Sequence, residues 1–213
     1  MNISLLIGTC DSYLEFLPNC IKLADKYFEP NVKRVISGES QSHSYNGYDF
    51  TLCKSNLWGE RILYSLNSID TKYVFFILED YYLCQKLSSD YISWLVKFMD
   101  RESAKKIMLS CMPENIGYTY SRTIDTIKQM TNRCDYLTSI QPSIWNVDHL
   151  KSILKPHYSP WDFEITGSNL LKFHENDHYA VKLDEPIYFN FVRKGKYLSP
   201  GASEFLISEN LLT

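Results

Sequence analysis

The chain has no Cys-x-x-Cys pair and no cluster of cysteine and histidine ligands. Its cysteines (Cys10, Cys20, Cys53, Cys84, Cys111, Cys134) are scattered, which argues against a zinc module and for reduced thiols in a cytoplasmic setting. No uncharged apolar run approaches the roughly 18–20 residues that span a bilayer. The start, Met1 to Gly8, carries no basic segment ahead of its apolar run, so neither a membrane helix nor a secretion signal is expected. Positive charge is not in excess: 22 Lys and Arg stand against 25 Asp and Glu. A phosphate-backbone binder needs the opposite balance, and nucleic acid is excluded as a partner. Also missing are a Gly-rich dinucleotide fingerprint, a Gly-x-x-x-x-Gly-Lys phosphate loop, a Gly-x-Ser-x-Gly elbow and a His-Glu-x-x-His helix. There is no internal repeat and no linker.

What is there is an ordered alternation of short apolar runs and helical patterns. Residues 3–8, 32–37 and 50–53 read as strands, the first two ending at Gly8 and Gly38. A helix is expected from near Leu17, and a second from Ser55 or Asn56 with Trp58, Ile62, Leu63, Leu66 and Ile69 on one stripe. Tyr73 to Leu78 is continuously aromatic or β-branched apart from its final leucine, the pattern of a strand buried on both faces. A helix over 89–101 and a strand over 107–110 complete an α/β half, 1–110, expected to bind a nucleotide. The second half, 111–213, is expected to face the acceptor. It reads as an irregular stretch over 112–135, a strand over 136–140, a helix near 148–154, a helix from Ser159 to Phe173 and a strand over 187–192. Together these predict one domain built on a mostly parallel central sheet flanked by helices.

In such sheets ligands sit beyond the carboxyl ends of the strands. Glu79 and Asp80 end the most apolar strand, and adjacent carboxylates suit Mg²⁺ or Mn²⁺ shared with a diphosphate, although acids also end strands as plain turns. Thr9 and Asp11 follow the first strand and can hold a base and ribose, or Asp11 can cap a helix. Arg61 can pair with phosphate or with a surface acid. Arg193, Lys194 and Lys196 form a basic turn that can close over a diphosphate or lie in solvent. Two carboxylates follow Ser159 as candidate catalytic residues, Asp162 and Glu164: Asp162 can instead serve a capping box, and Glu164 is the better general base for an acceptor hydroxyl or an exposed glutamate on a helix flank.

Five segments taken in order carry a resemblance: Thr9-Cys10-Asp11-Ser12-Tyr13; Trp58-Gly59-Glu60-Arg61 ahead of Leu66-Asn67-Ser68-Ile69; Tyr73 to Tyr81; Gln141-Pro142-Ser143-Ile144-Trp145-Asn146; and Pro160-Trp161-Asp162-Phe163-Glu164. Across nearly the whole chain they resemble small bacterial glycosyltransferases of capsule and O-antigen gene clusters. That resemblance implies a GT-A-like fold, a nucleotide-diphosphate sugar donor and a saccharide or lipid-linked acceptor. It places Glu79-Asp80 at the family's Asp-x-Asp metal motif, although Tyr81 and Tyr82 stand where a second aspartate is expected. It also implies that Glu164 is the base, that Gln141 to Trp145 form an acceptor wall, and that Trp145 or Trp161 offers a ring for stacking. Peripheral contact with the inner membrane and homodimerisation stay open. So do two other readings, a nucleotidyltransferase acting on a sugar phosphate and a non-catalytic sugar or nucleotide-binding module.

Overall fold

The computed structural model describes residues 1–109, 120–172, 177–181, 183, 185–193, 196–197 and 200–211. Ser110, Phe173 and Lys194, each part of an expectation above, lie outside them. The strands are β1 (Ile3–Gly8), β2 (Arg34–Gly38), β3 (Asp49–Leu52), β4 (Tyr73–Leu78), β5 (Tyr81–Leu83), β6 (Lys106–Leu109), β7 (Tyr120–Ile124), β8 (Ile127–Met130), β9 (Ser143–Asn146), β10 (His178–Val181), β11 (Tyr188–Asn190), β12 (Val192–Arg193) and β13 (Lys196–Tyr197). The helices are α1 (Leu17–Tyr27), α2 (Trp58–Leu66), α3 (Ser89–Glu102), α4 (Val147–Ile153), α5 (Pro160–Asp162), α6 (Ser168–Leu171) and α7 (Pro200–Ser208), with a π-helical segment, Phe163–Gly167, joining α5 to α6.

Nine strands form one sheet in the order β3-β2-β1-β4-β9-β6-β10-β8-β7. Its β3-β2-β1-β4 part is parallel, as expected from strands separated by helices. The sheet as a whole is mixed, which corrects the mostly parallel expectation. β9 enters from the second half of the chain and runs antiparallel to both β4 and β6, and β8 pairs antiparallel with β10 and β7. Only four residues of β9, Ser-Ile-Trp-Asn, make the join, too few to declare a direction in advance.

Side chains alternate across the sheet into two apolar layers. Leu5, Ile7, Phe75 and Ile77 meet α1 and α3 on one face, and Leu6, Val74, Phe76 and Trp145 meet α2, α4 and Phe163 on the other. β4 is buried on both sides, so truncating Phe75 or Phe76 to alanine would cost about 3–5 kcal/mol. Among the described residues no helix is long and apolar enough to cross a membrane.

The strand expected over 136–140 does not form. Its backbone groups go to side chains instead of a ladder. Lys106 Nζ donates to the carbonyls of Leu137 (3.1 Å) and Ser139 (2.7 Å), Thr138 N–H donates to Ser168 Oγ (3.0 Å), and Ile140 N–H donates to Glu164 Oε1 (2.9 Å). This strap also accounts for the π-helical segment. Thr138 Oγ1 donates to the Phe163 carbonyl (2.6 Å) and lies 3.3 Å from that of Glu164, and a side chain inserted at helix carbonyls widens the turn. Within the stretch expected to be irregular, β7 and β8 form a hairpin whose Asp125 takes φ 53, a left-handed conformation aspartate tolerates. The exposed β7 edge, Tyr-Ser-Arg-Thr-Ile, lacks the apolar run that announces a strand.

At the opposite end of the sheet from Gly8, α4 docks on β10 through two imidazoles with Nε2 atoms 3.2 Å apart, one donating and one accepting. Burial pushes both down, His149 to about 4 and His178 well below its ordinary value. Both rings are therefore neutral in the folded protein near pH 6, while the unfolded chain takes up protons below about pH 6.5. Stability must then fall on acidification from about pH 6.5 toward 4, at no more than about 1.4 kcal/mol per pH unit for each ring. In His149→Gln the slope of urea-unfolding free energy between pH 6.5 and 5 is expected to drop by up to that amount. Equal slopes in the two proteins would exclude the linkage.

Candidate functional site

β1 pairs with β4 over six residues, Ile3↔Tyr73 to Gly8↔Leu78, so the two strands end side by side. Thr9 N–H then donates to the Ser37 carbonyl (2.9 Å) and Glu79 N–H to that of Gly8 (3.1 Å). Strand order reverses between β1 and β4, and the crevice at such a switch point is where ligands bind in open α/β sheets. A cavity of about 760 Å³ opens there. Its lining includes Thr9, Cys10, Glu39, Glu79 and Asp80 from the strand ends, Asn56, Trp58 and Arg61 from the start of α2 with His157 and Tyr158 beside them, and Gln141, Trp161, Glu164, Asn190 and Val192.

Glu79 is 6% exposed. Burial and the neighbouring Asp80 charge push its carboxyl up to about 8, and burial pushes Asp80 up to about 6. Asp80 Oδ1 is buried without a hydrogen-bond partner, as is Arg61 Nε. Arg61, 4% exposed, donates through Nη1 to the Ser55 carbonyl (3.0 Å) and lies 3.7 Å from Glu39 Oε1. The α2 start that carries it is seated tightly, because Gly59 N–H donates to the Tyr158 carbonyl (3.0 Å) and a Cβ on Gly59 would lie 2.1 Å from the Lys155 carbonyl oxygen. Gly59 thus lets α2 and the 155–158 loop form one wall.

Also in the lining, Glu164 Oε1 accepts from Ser139 Oγ (3.1 Å) and Ile140 N–H (2.9 Å). Its other oxygen carries no hydrogen bond among the described residues. Gln141 is held by Tyr188, whose hydroxyl donates to Gln141 Oε1 (2.9 Å). Trp161 stands 71% exposed at the rim.

Thr9, Arg61, Glu79, Asp80, Gln141, Trp161 and Glu164 therefore share one cavity. Three other expected site residues do not line it. Trp145 is wholly buried, its ring 4.6 Å from Lys106 Nζ and packed on Phe163, because it alternates inward on β9; the expected acceptor contact is corrected. Asp162 spends its carboxylate on a capping box with Ser159, which holds it below the usual carboxylate range, so its expected catalytic role is corrected as well. Asp11 turns its carboxylate to Ser40 and Gln41, tying the loop after β2, and the Ser40 hydroxyl draws it down. The structure describes the backbone of Arg193 and Lys196 in the β12–β13 hairpin, next to the lining residue Val192; Lys194 lies outside the described residues. Glu39, Tyr13, Asn56, His157, Tyr158 and Asn190 line the cavity without having been expected. Glu39 had a signal: it follows the glycine that ends β2, as Thr9 follows Gly8.

No group of three or more metal-binding side chains occurs among the described residues. Asp80 with Glu79 nevertheless fits a hard cation whose remaining ligands are phosphate oxygens and water, since one carboxylate oxygen is buried and unpartnered.

No protein-family model matches the chain, and no curated protein matches it in sequence. Solved structures do. S. aureus TarS 1–349 in complex with UDP-GlcNAc superposes with a TM-score of 0.64 at 15% identity, covering 99% of this chain and 65% of that one. UDP-glucose pyrophosphorylase complexed with UDP-glucose gives 0.58 at 10% identity, covering 89% and 93%. Bifunctional IspDF from Campylobacter jejuni gives 0.51 at 15%, covering 89% and 52%. The chain spans between 37% and 65% of the TarS chains it matches. The shared feature is the fold: a Rossmann-like α/β domain on a large mixed sheet.

Neutralising the desolvated Asp80 carboxylate, one of whose oxygens has no partner, should stabilise the protein without ligand. Asp80→Asn is expected to raise the unfolding free energy at pH 8 by about 1–2 kcal/mol, read by calorimetry, because the desolvated carboxylate is replaced by a neutral amide. A loss of stability would mean that the carboxylate has a structural partner.

Proposed function

We propose that this chain is an inverting glycosyltransferase that moves a sugar from a nucleotide-diphosphate donor to a saccharide or lipid-linked acceptor in bacterial surface polysaccharide synthesis. The observation that carries the reading is one cavity at the switch point that is lined by Glu79, Asp80 and Arg61 and also by Glu164, which keeps one oxygen free of hydrogen bonds among the described residues. The likeness of fold to TarS bound to UDP-GlcNAc supports it.

In this reading Thr9 and the β1 end hold the nucleotide, and Arg61 neutralises phosphate. Among the described residues the lining carries Glu39, Asp80 and Glu164, with Glu79 pushed up to about 8 beside them, against the single guanidinium of Arg61. A diphosphate entering that field needs added positive charge. Asp80, with Glu79, would hold Mn²⁺ or Mg²⁺, which would offset the charge of the leaving diphosphate, and the basic turn at Arg193, Lys194 and Lys196 is a second source. Glu164 takes the proton of the acceptor hydroxyl as its oxygen bonds to the anomeric carbon. The carbon–oxygen bond to the diphosphate breaks, and the nucleoside diphosphate leaves with the electron pair. Gln141 and the Trp161 ring then face the acceptor.

The coverage of UDP-glucose pyrophosphorylase favours nucleotidyl transfer as the second reading. Against it, the loop after β1 is a short helical turn, Asp11–Tyr13, and holds neither glycine nor a basic residue. Incubation with UTP and a sugar phosphate, read as pyrophosphate release, separates the two.

UDP with Mn²⁺ at about a hundred times its dissociation constant should stabilise the fold by about 2.7 kcal/mol, seen as a raised melting temperature. Glu164→Gln should keep that shift and lose about 10²–10⁴-fold in transfer rate. No shift with any nucleoside diphosphate would end the reading, and full turnover in the variant would remove Glu164 from it.

A further inference from the structure

We infer that Lys106 is a positioning residue for Glu164, its buried ammonium holding the 137–140 strap that delivers the Ser139 and Ile140 hydrogen bonds to the Glu164 carboxylate. This rests on the reading of Glu164 as base. Lys106 opens β6 and is 0% exposed, an unusual place for a lysine. Its Nζ donates to the carbonyls of Leu137 (3.1 Å) and Ser139 (2.7 Å) and sits 4.6 Å from the Trp145 ring centre, which supplies a favourable face for a cation. Directly above, Ser139 Oγ and Ile140 N–H converge on one oxygen of Glu164 at 3.1 and 2.9 Å. The strap has no strand partner, so these side-chain ties set its position. Both ends of the chain of contacts are therefore fixed: the sheet through Lys106, the cavity through Glu164.

The two charges also sense each other. Burial draws the Lys106 ammonium down to about 7 while the Glu164 carboxylate opposes that shift. A lysine that served only to fill space would be replaceable by an apolar chain of similar length. One that positions the base would not, and its loss would act only through Glu164.

The test compares Lys106→Met, Glu164→Gln and the double variant by release of UDP from UDP-GlcNAc, with amide exchange at Ile140 read separately by NMR. Lys106→Met should speed Ile140 exchange about tenfold or more while amides of β1 and β4 stay protected. It should lower kcat about tenfold, leave KM for UDP-GlcNAc within about twofold, and add little once Glu164 is already glutamine. Lys106→Arg, which keeps donors to the two carbonyls, should recover part of kcat. Losses that multiply in the double variant, or unchanged Ile140 exchange in a folded Lys106→Met, would overturn the inference. If the wild type releases no UDP, the transferase reading fails for this donor, and the exchange measurement still decides whether Lys106 sets the strap. Should Lys106→Met not fold, Ser139→Ala takes its place: a fall in kcat that vanishes in the Glu164→Gln background supports the inference, and full kcat overturns it.

Discussion

The parallel pairing of β1 with β4, six residues in register, is the constraint on which the rest of the structure depends. It brings two apolar runs, separated by most of the first half of the chain, to a common end. There the backbone of one hands a hydrogen bond to the other, and their next residues become neighbours. Because β4 is buried on both faces, the carboxylates that follow it emerge from a medium that disfavours charge, and both are pushed toward neutrality. A strand less buried, or one shifted by a residue, would leave Glu79 and Asp80 as ordinary solvated acids.

The part of the lining that carries Glu164 is built by different physics. Where the strand-end part is set by ladder hydrogen bonds, the strap at 137–141 is set by side chains reaching its backbone from three directions: Lys106 from the sheet, Ser168 from α6, and Glu164 from the π-helical segment. Thr138 returns the contact to the Phe163 carbonyl, so strap and helix distort each other into one shape. The two parts join through β9, whose short antiparallel insertion between β4 and β6 makes the second half of the chain part of the same sheet.

These two constructions explain what could be read from residues alone. β1, β2 and β4 were legible because a strand inside a parallel sheet needs an unbroken apolar run, and Tyr73 to Leu78 has one. α2 was legible through the spacing of Trp58, Ile62 and Leu66. The end-of-strand rule led to Thr9, Glu79 and Asp80, and applied to β2 it leads equally to Glu39. β9 and β10 were not legible, since four residues flanked by tertiary partners carry little periodicity of their own. Tyr136 to Ile140 looked like a strand because Leu137 and Ile140 are apolar and buried; nothing local reveals that a lysine some thirty residues earlier takes the carbonyls of Leu137 and Ser139. Trp145 carried a ring suited to sugar stacking, but β9 alternation turns it into the core. For Asp162 the local signal was sound, as the Ser159 capping box forms.

The buried polar groups divide into those the fold satisfies and those it leaves wanting. Lys106 has two carbonyls and an aromatic face, the His149 and His178 rings have each other, and Asp162 has its cap. Among the described residues four buried side-chain atoms have no partner: Tyr91 Oη and Trp145 Nε1 lie away from the cavity, and Asp80 Oδ1 and Arg61 Nε belong to residues that line it. Leaving such groups unpaired typically costs about 1–3 kcal/mol each. A fold that meets the needs of a fully buried lysine could have met these by one hydroxyl or amide nearby. That it leaves one donor of Arg61 and one acceptor of Asp80 without partners on the same cavity favours a ligand that brings both an acceptor for the guanidinium and a donor or cation for the carboxylate. A diphosphate with its counter-cation has that composition; a neutral saccharide alone does not.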